Sequence, residues 1–105
     1  MLRIYATMID ALGMLRGVLP RIERFDGDLA RQLRRAAASV ALNLSEGSGS
    51  TGGVRTQRYR TALGSARETA ACLDVATALG YVERIEPELR AKLDAVIGGL
   101  VRLTI

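Results

Sequence analysis

The sequence contains no histidine, no tryptophan and a single cysteine, Cys72. A disulfide framework within one chain is therefore excluded, and zinc or haem clusters lack their usual ligands. Without histidine, Ser39 and Ser45 also lack the base that would activate a serine nucleophile. Cys72 lies in an apolar stretch, and we interpret it as a small core residue. This composition favours a cytoplasmic protein and predicts neither a cofactor nor a metal site of the histidine or cysteine type.

Aromatic residues are also scarce, at 4 % of the sequence against 49 % hydrophobic residues in total. This balance suits packed aliphatic helices better than a β-sandwich. The N-terminal segment is interrupted by Asp10 and Arg16 before it could form a signal peptide or a membrane span, so no membrane partner is expected. The 105 residues are enough for one domain and too few for two, and we predict a single domain over residues 1–105.

Four segments repeat apolar residues at intervals of three and four, the spacing of a helix that buries one face. The predicted helices are, in chain order, one that stops at Pro20, one from the cap Asp28 to about Glu46, one from about Val54 to Gly80, and one that begins near Pro87. Their apolar seams are Tyr5, Met8, Leu12, Leu15 and Leu19; Leu29, Leu33, Ala36 and Val40; Tyr59, Ala62, Ala66, Thr69, Leu73 and Ala76; and Leu89, Leu93, Val96, Leu100 and Leu103. Because short connections join antiparallel neighbours, we predict an all-α fold, an antiparallel up-down-up-down four-helix bundle.

Further apolar residues lie off these seams. They are Ile4, Ile9, Leu42, Leu44, Val75, Val82, Ile97 and Val101. A monomeric bundle would leave many of them in water, and contiguous exposed apolar surface often marks an interface. We therefore expect a homo-oligomer. The alternative is a core stripe broad enough to absorb most of these residues.

The glycine-rich stretch NLSEGSGSTGG, residues 43–53, contains Gly47, Gly49 and Gly52 at the G-x-G-x-x-G spacing of a dinucleotide-binding loop. That fingerprint requires a strand before the loop, whereas residues 28–44 have helical periodicity. We interpret the stretch as a helix end followed by a flexible hinge. Gly47 is then the C-cap, because glycine tolerates the left-handed conformation that helix ends favour.

Polar residues occupy positions beside the apolar seams of the second and third helices. They are Ser39, Asn43, Glu46, Ser65 and Glu68. If they face inward, each must find a hydrogen-bonding partner, because an unpaired buried polar group is costly. A network that sets helix register is the structural interpretation. The alternative is a pairing of Glu46 with Glu68 as an acid/base pair or an all-carboxylate magnesium or manganese site.

Several separated blocks of the sequence resemble one known family. Residues 39–47, SVALNLSEG, are similar to the S-I-x-x-N-I-A-E-G signature of four-helix-bundle proteins first noticed in intervening sequences of bacterial large-subunit ribosomal RNA genes. The agreement extends to Leu19-Pro20 before Glu23, to residues 32–36, to residues 62–68 and to residues 79–81. Leu44 and Ser45 depart from the usual isoleucine and alanine, and the loop lacks the aromatic residue often found after the signature glycine.

The resemblance implies a four-helix bundle that assembles as a ring, and relatives lead us to expect a homopentamer. It also implies a kinship in fold with the accessory proteins of diversity-generating retroelements, which bind a reverse transcriptase and nucleic acid through basic surface. The family carries no accepted catalytic residues. The resemblance therefore implies that this chain is not an enzyme.

The formal net charge is +4, and every cationic residue except Lys92 is an arginine. A basic balance of this kind is compatible with a nucleic-acid partner. We hypothesise that the protein binds RNA or DNA by its phosphates, without strong sequence preference. The arginines proposed for this contact are Arg31, Arg34, Arg35, Arg55, Arg58 and Arg60. The alternatives are a scaffold that docks a partner protein such as a reverse transcriptase, or ordinary solvated arginines.

Overall fold

The computed structural model describes residues 2–105, which form four α-helices and no strand. The helices are α1 (Arg3–Glu23), α2 (Gly27–Ser48), α3 (Gly52–Ala78) and α4 (Pro87–Thr104). Helices α1 and α3 each pack against both α2 and α4, and the α2–α3 contact is the most extensive. The prediction of an all-α protein with four helices is confirmed. Within residues 2–105, no helix is both long enough and apolar enough to span a membrane.

The core lies where the four helices meet, and the predicted seams supply most of it. The predicted start of the fourth helix at Pro87 is confirmed. Leu103 was wrongly assigned to the core, since it is 40 % exposed in the last turn of α4. Leu44 and Val82 were wrongly placed outside the seams, because both are buried. Leu44 is buried because α2 packs between α1 and α3, which widens the covered stripe of this helix.

Helix α1 continues through Pro20 and ends at Glu23, so the predicted stop at Pro20 is wrong. Proline lacks an N–H donor, but its carbonyl still accepts a hydrogen bond, here from the backbone N of Arg24 at 3.3 Å. Ile22, two residues further along, is buried in the core. Burial of Ile22 offsets the single hydrogen bond that proline cannot donate.

The N-cap of α2 is Asp26, not the predicted Asp28. The Asp26 backbone is extended, and its Oδ1 accepts a hydrogen bond from the backbone N of Leu29 at 2.9 Å. This bond satisfies one of the free N–H donors of the first turn. Asp28 lies inside that turn and forms an ion pair with Arg31 on the helix surface.

Helix α3 begins at Gly52 and ends at Ala78, each two residues earlier than the prediction. Its end is closed by Gly80, which has φ +79°. The backbone N of Tyr81 donates to the carbonyl of Ala76 at 2.9 Å, and that of Gly80 donates to Thr77 at 3.0 Å. These two bonds form a Schellman motif, which requires a residue that tolerates positive φ. Tyr81 is thereby held at a defined position beyond the helix.

Candidate nucleic-acid interface

All six arginines proposed for phosphate contact have exposed side chains on α2 or α3. They are Arg31, Arg34 and Arg35 in the first half of α2, and Arg55, Arg58 and Arg60 in the first turns of α3. Since the guanidinium is always charged and has five donors, each exposed arginine is available to a phosphate. The two groups differ in how their members are already paired.

In the α2 group, two of the three arginines pair with acidic residues. Arg31 pairs with Asp28, and Arg34 approaches Glu23 with an N–O distance of 3.6 Å. Both pairs are solvent-exposed, and such pairs contribute about 0–1 kcal/mol. Arg35 lines an open cleft of mixed charge whose other walls are Asp28, Arg31, Gln32 and Glu68.

In the α3 group, Arg55 and Arg58 face the end of α2. The Arg55 Nε donates to the carbonyl of Gly47 at 3.2 Å, and Arg58 pairs with Glu46 at 3.0 Å. The Gly47 carbonyl, near the end of α2, thus accepts from Arg55 and also from the backbone N of Ser50 at 3.1 Å. Arg60 is exposed, and it has no ion pair within residues 2–105.

The structure places the two groups at separate positions along α2 and α3. Arg58 contacts Glu46, which lies eleven residues after Arg35 on α2. At 1.5 Å per residue, this separation is about 16 Å along the helix axis. The arginines therefore form two basic areas, the α2 group and the α3 group, rather than one continuous cluster.

Gly47 lies inside α2, and the C-cap is Gly49, so the predicted role of Gly47 is wrong. Gly47 is not among the residues with positive φ. A Cβ at this position would lie 2.5 Å from Cε1 of the Tyr59 ring, which is buried in α3. Glycine is thus required at residue 47 because Tyr59 packs directly on the backbone of α2, not because of its conformational freedom.

Three of the five predicted polar residues meet between α2 and α3. The hydroxyls of Ser39 and Ser65 share a hydrogen bond of 2.8 Å. The Asn43 Nδ2 donates to the Ser39 carbonyl at 2.9 Å and to its hydroxyl at 3.1 Å. All three side chains are half-buried at the edge of the core. The Ser39–Ser65 bond joins the two helices, whereas both Asn43 bonds lie within α2 and hold the Ser39 side chain.

Glu46 and Glu68 are exposed and do not belong to this network. Glu46 pairs with Arg58, which lies ten residues before Glu68 on α3, about 15 Å along the helix. A joint acid/base or metal site of these two carboxylates is therefore contradicted by the structure. Within residues 2–105, no three acidic, cysteine or histidine side chains are grouped around a common point.

Cys72 is buried in the core, as the sequence indicated. Burial raises the pKa of its thiol, and the negative charge of Glu68 raises it further. The thiolate is the nucleophilic and metal-binding form of cysteine. A thiol held protonated in this way is suited to packing and not to chemistry.

One cluster of side chains escaped the sequence analysis. Phe25 is 60 % exposed in the α1–α2 connection, and its ring stacks on that of Tyr81 with centroids 5.4 Å apart and planes 4° apart. The Tyr81 hydroxyl donates to Oδ2 of Asp26 at 3.3 Å. The guanidinium carbon of Arg24 lies over the Phe25 ring, 5.8 Å from its centroid. The sequence signal was the sole phenylalanine, placed in the charged connector RIERFDGD.

Comparisons with known proteins place this fold and sequence in context. A solved structure with a similar fold is that of a protein of unknown function from the S23 ribosomal protein family of Bacteroides thetaiotaomicron VPI-5482, with a TM-score of 0.82. The alignment covers 96 % of this chain and 97 % of that chain at 12 % identity, so it is evidence for the fold alone. A search of curated proteins gave no match. Residues 14–101 match the family model described as 23S rRNA-intervening sequence protein. The chain therefore belongs to the 23S rRNA-intervening sequence protein family.

Proposed function

We propose that this chain is a non-enzymatic, cytoplasmic protein that assembles as a homo-oligomer and binds RNA or DNA through arginines, without strong sequence preference. The observation that carries the proposal is the exposure of all six arginines on the α2–α3 pair. Phosphate contacts supply most of the affinity of non-specific binding and carry no sequence information. Comparison of RNA with DNA fragments in a binding experiment distinguishes the two ligands.

The proposed arrangement is an antiparallel up-down-up-down bundle. Contacts between α2 and α3 support it, because Ser39 meets Ser65 whereas the later Gly47 meets the earlier Tyr59. The same reasoning applies to α3 and α4, joined by the short connection 79–86, where Asp74 pairs with Arg90. Each helix also contacts its neighbours in chain order, as short connections require.

The proposed oligomer is a ring, and a pentamer is expected from the family resemblance. Three of the apolar residues predicted to lie off the seams are exposed, namely Ile9, Leu42 and Val75. Leu42 is 63 % exposed in the middle of α2, away from any helix end. Apolar side chains in such positions are often covered by a partner subunit.

Nucleic-acid binding would use the α2 and α3 groups together. Their separation of about 16 Å corresponds to roughly five base-pair steps of a duplex. Arg31, Arg34 and Arg58 would use guanidinium donors that their exposed ion pairs leave free, so that their acidic partners stay paired. Arg35 would add a phosphate contact beside Arg31. Arg60 lies roughly 200° around the α3 axis from Arg58 and would contact a phosphate from another side of that helix.

The test is binding of labelled RNA and DNA fragments by fluorescence anisotropy over a range of salt concentrations, with oligomer mass followed by light scattering. We expect the logarithm of the affinity to fall linearly with that of the salt concentration, by about 0.9 per phosphate contact on duplex DNA. Arg35→Glu and Arg60→Glu should each weaken binding at low salt and reduce this slope by about one contact. The matched control is Arg16→Glu on α1, which changes the net charge equally. Equal losses in all three variants, or no binding by the parent protein, would contradict the proposal.

A second candidate is a scaffold that docks a partner protein such as a reverse transcriptase. The exposure of three apolar side chains, Leu42, Val75 and Leu79, favours this candidate. Leu79 is 58 % exposed. Apolar docking responds little to salt, whereas phosphate contacts are screened. A complex with a purified reverse transcriptase that survives high salt and is lost in Leu42→Asp would support the scaffold. The melting temperature of Leu42→Asp should equal that of the parent protein, which would show that the variant is folded.

A further inference from the structure

The ring of Phe25 is stacked on Tyr81, and its other contact is the exposed guanidinium of Arg24. Its partner Tyr81 follows Gly80 in the Schellman motif, and the Tyr81 hydroxyl is bound to Asp26. Asp26 is itself fixed as the N-cap of α2. The stack therefore joins the α1–α2 connection to the α3–α4 connection, and Phe25 keeps a defined orientation although it is 60 % exposed.

The residues on either side of Phe25 in the chain are both charged. They are Arg24 and Asp26. The cores of protein–protein interfaces are depleted of aspartate, although arginine is enriched there. An exposed aromatic face beside a guanidinium is instead the combination with which proteins bind unpaired bases of single-stranded nucleic acid.

Charge complementarity supports the same occupant. The acidic residues near the ring are already engaged: Glu23 with Arg34, Asp28 with Arg31, and Asp26 with Leu29 N and the Tyr81 hydroxyl. Arg24 is exposed, and its recorded contact within residues 2–105 is the one with the Phe25 ring. Its long side chain can leave the ring for a phosphate when a base takes its place.

We infer that Phe25 and Arg24 form a stacking site for one unpaired base of single-stranded RNA or DNA, with Phe25 contacting the base and Arg24 its phosphate. The inference rests on the proposed nucleic-acid binding and adds the single-stranded class of ligand and the residues that receive it. Stacking is tolerant of sequence because every base has a π-face. The site therefore agrees with binding that has little sequence preference.

The experiment uses Phe25→Trp, which keeps a ring at this position and introduces the single tryptophan of the chain. The probe is a mixed-sequence single strand of roughly ten nucleotides, within the usual size of a single-strand site. We expect the strand, as RNA and as DNA, to quench the tryptophan emission, whereas the corresponding duplex does not. Phe25→Leu, which keeps apolar area without a π-face, should bind the strand roughly tenfold more weakly than the parent. A melting curve of Phe25→Leu shows whether this variant is folded.

The possible failures are distinguishable. If the emission of Phe25→Trp is unchanged and Phe25→Leu binds as the parent does, while Arg35→Glu and Arg60→Glu bind more weakly, the stacking site is refuted and the proposed function stands. Equal quenching by single strand and duplex also refutes the single-stranded ligand. If the parent protein binds neither form at low salt, both the proposed function and the stacking site are refuted.

Discussion

Replacement of Gly47 by alanine should destabilise the protein, although alanine is the better helix former. The added Cβ would lie 2.5 Å from Cε1 and 2.7 Å from Cδ1 of Tyr59, and 3.3 Å from Cβ of Arg58. Carbon atoms pack best at about 3.5–4.0 Å, so the closest contact is short by about 1 Å. The Tyr59 ring is buried in the core and cannot move aside without displacing its neighbours.

The magnitude follows from two opposing contributions to the free energy of unfolding. Overpacking of a close contact costs about 1–3 kcal/mol. Alanine in place of glycine inside a helix stabilises by about 0.5–1 kcal/mol. We therefore expect Gly47→Ala to lower stability by about 1–2 kcal/mol. For a chain of this size, that is a decrease of roughly 5–10 °C in melting temperature.

Two other helical glycines serve as matched controls, since a Cβ at Gly13 or Gly64 would have no neighbour within 4 Å. Gly13→Ala and Gly64→Ala should each raise the melting temperature. Thermal unfolding is followed by circular dichroism at one fixed protein concentration, because oligomerisation affects the apparent stability. A Gly47→Ala variant as stable as the two controls would refute the reasoning. Tyr59→Leu removes the ring, so in this background Gly47→Ala should cost less stability than in the parent protein. An equal loss of stability in both backgrounds would also refute the reasoning.

Two further predictions concern side-chain hydrogen bonds. Asn43→Leu removes both bonds to Ser39 and should lower the free energy of unfolding by about 1 kcal/mol, as measured by urea denaturation. Arg16→Ala, on an exposed side chain, should change the free energy of unfolding by less than about 0.5 kcal/mol. Equal effects of the two substitutions would show that the Asn43 bonds to Ser39 do not stabilise the fold. The pKa of Tyr81 is raised by burial, then by the charge of Asp26 and its hydrogen bond. Because the folded pKa exceeds the unfolded one, this stabilisation is present below pH 10 and is lost as the pH rises through the raised pKa. As the pH rises above 10, the melting temperature of Tyr81→Phe should fall less than that of the parent protein. Equal decreases in the two proteins would disprove the raised pKa of Tyr81.

The positions of the helices could be predicted from the sequence because apolar periodicity is a local property of the chain. The seam of α4 and its start at Pro87 needed no tertiary information, apart from Leu103 at the exposed end. Helix ends were less predictable. Whether Pro20 ends α1 depends on the burial of Ile22 two residues later, and whether Asp26 or Asp28 caps α2 depends on which backbone is extended.

The candidate site was predictable by composition and not by geometry. The sequence identified the arginines and their two groups, but the distance between the groups follows from the packing of α2 against α3, as does the separation of Glu46 from Glu68. The stack of Phe25 on Tyr81 joins residues 56 positions apart, and no local pattern contains such a contact.

By itself, the sequence determined the helical class, the approximate extent of the four helices and the basic, histidine-free character of the surface, since these depend on local spacing and composition. Tertiary structure alone decided the role of Gly47, whose need for glycine arises from the ring of Tyr59 on another helix. It also decided which polar and aromatic side chains meet. Contacts of this kind depend on distances between elements, which are set only when the helices pack.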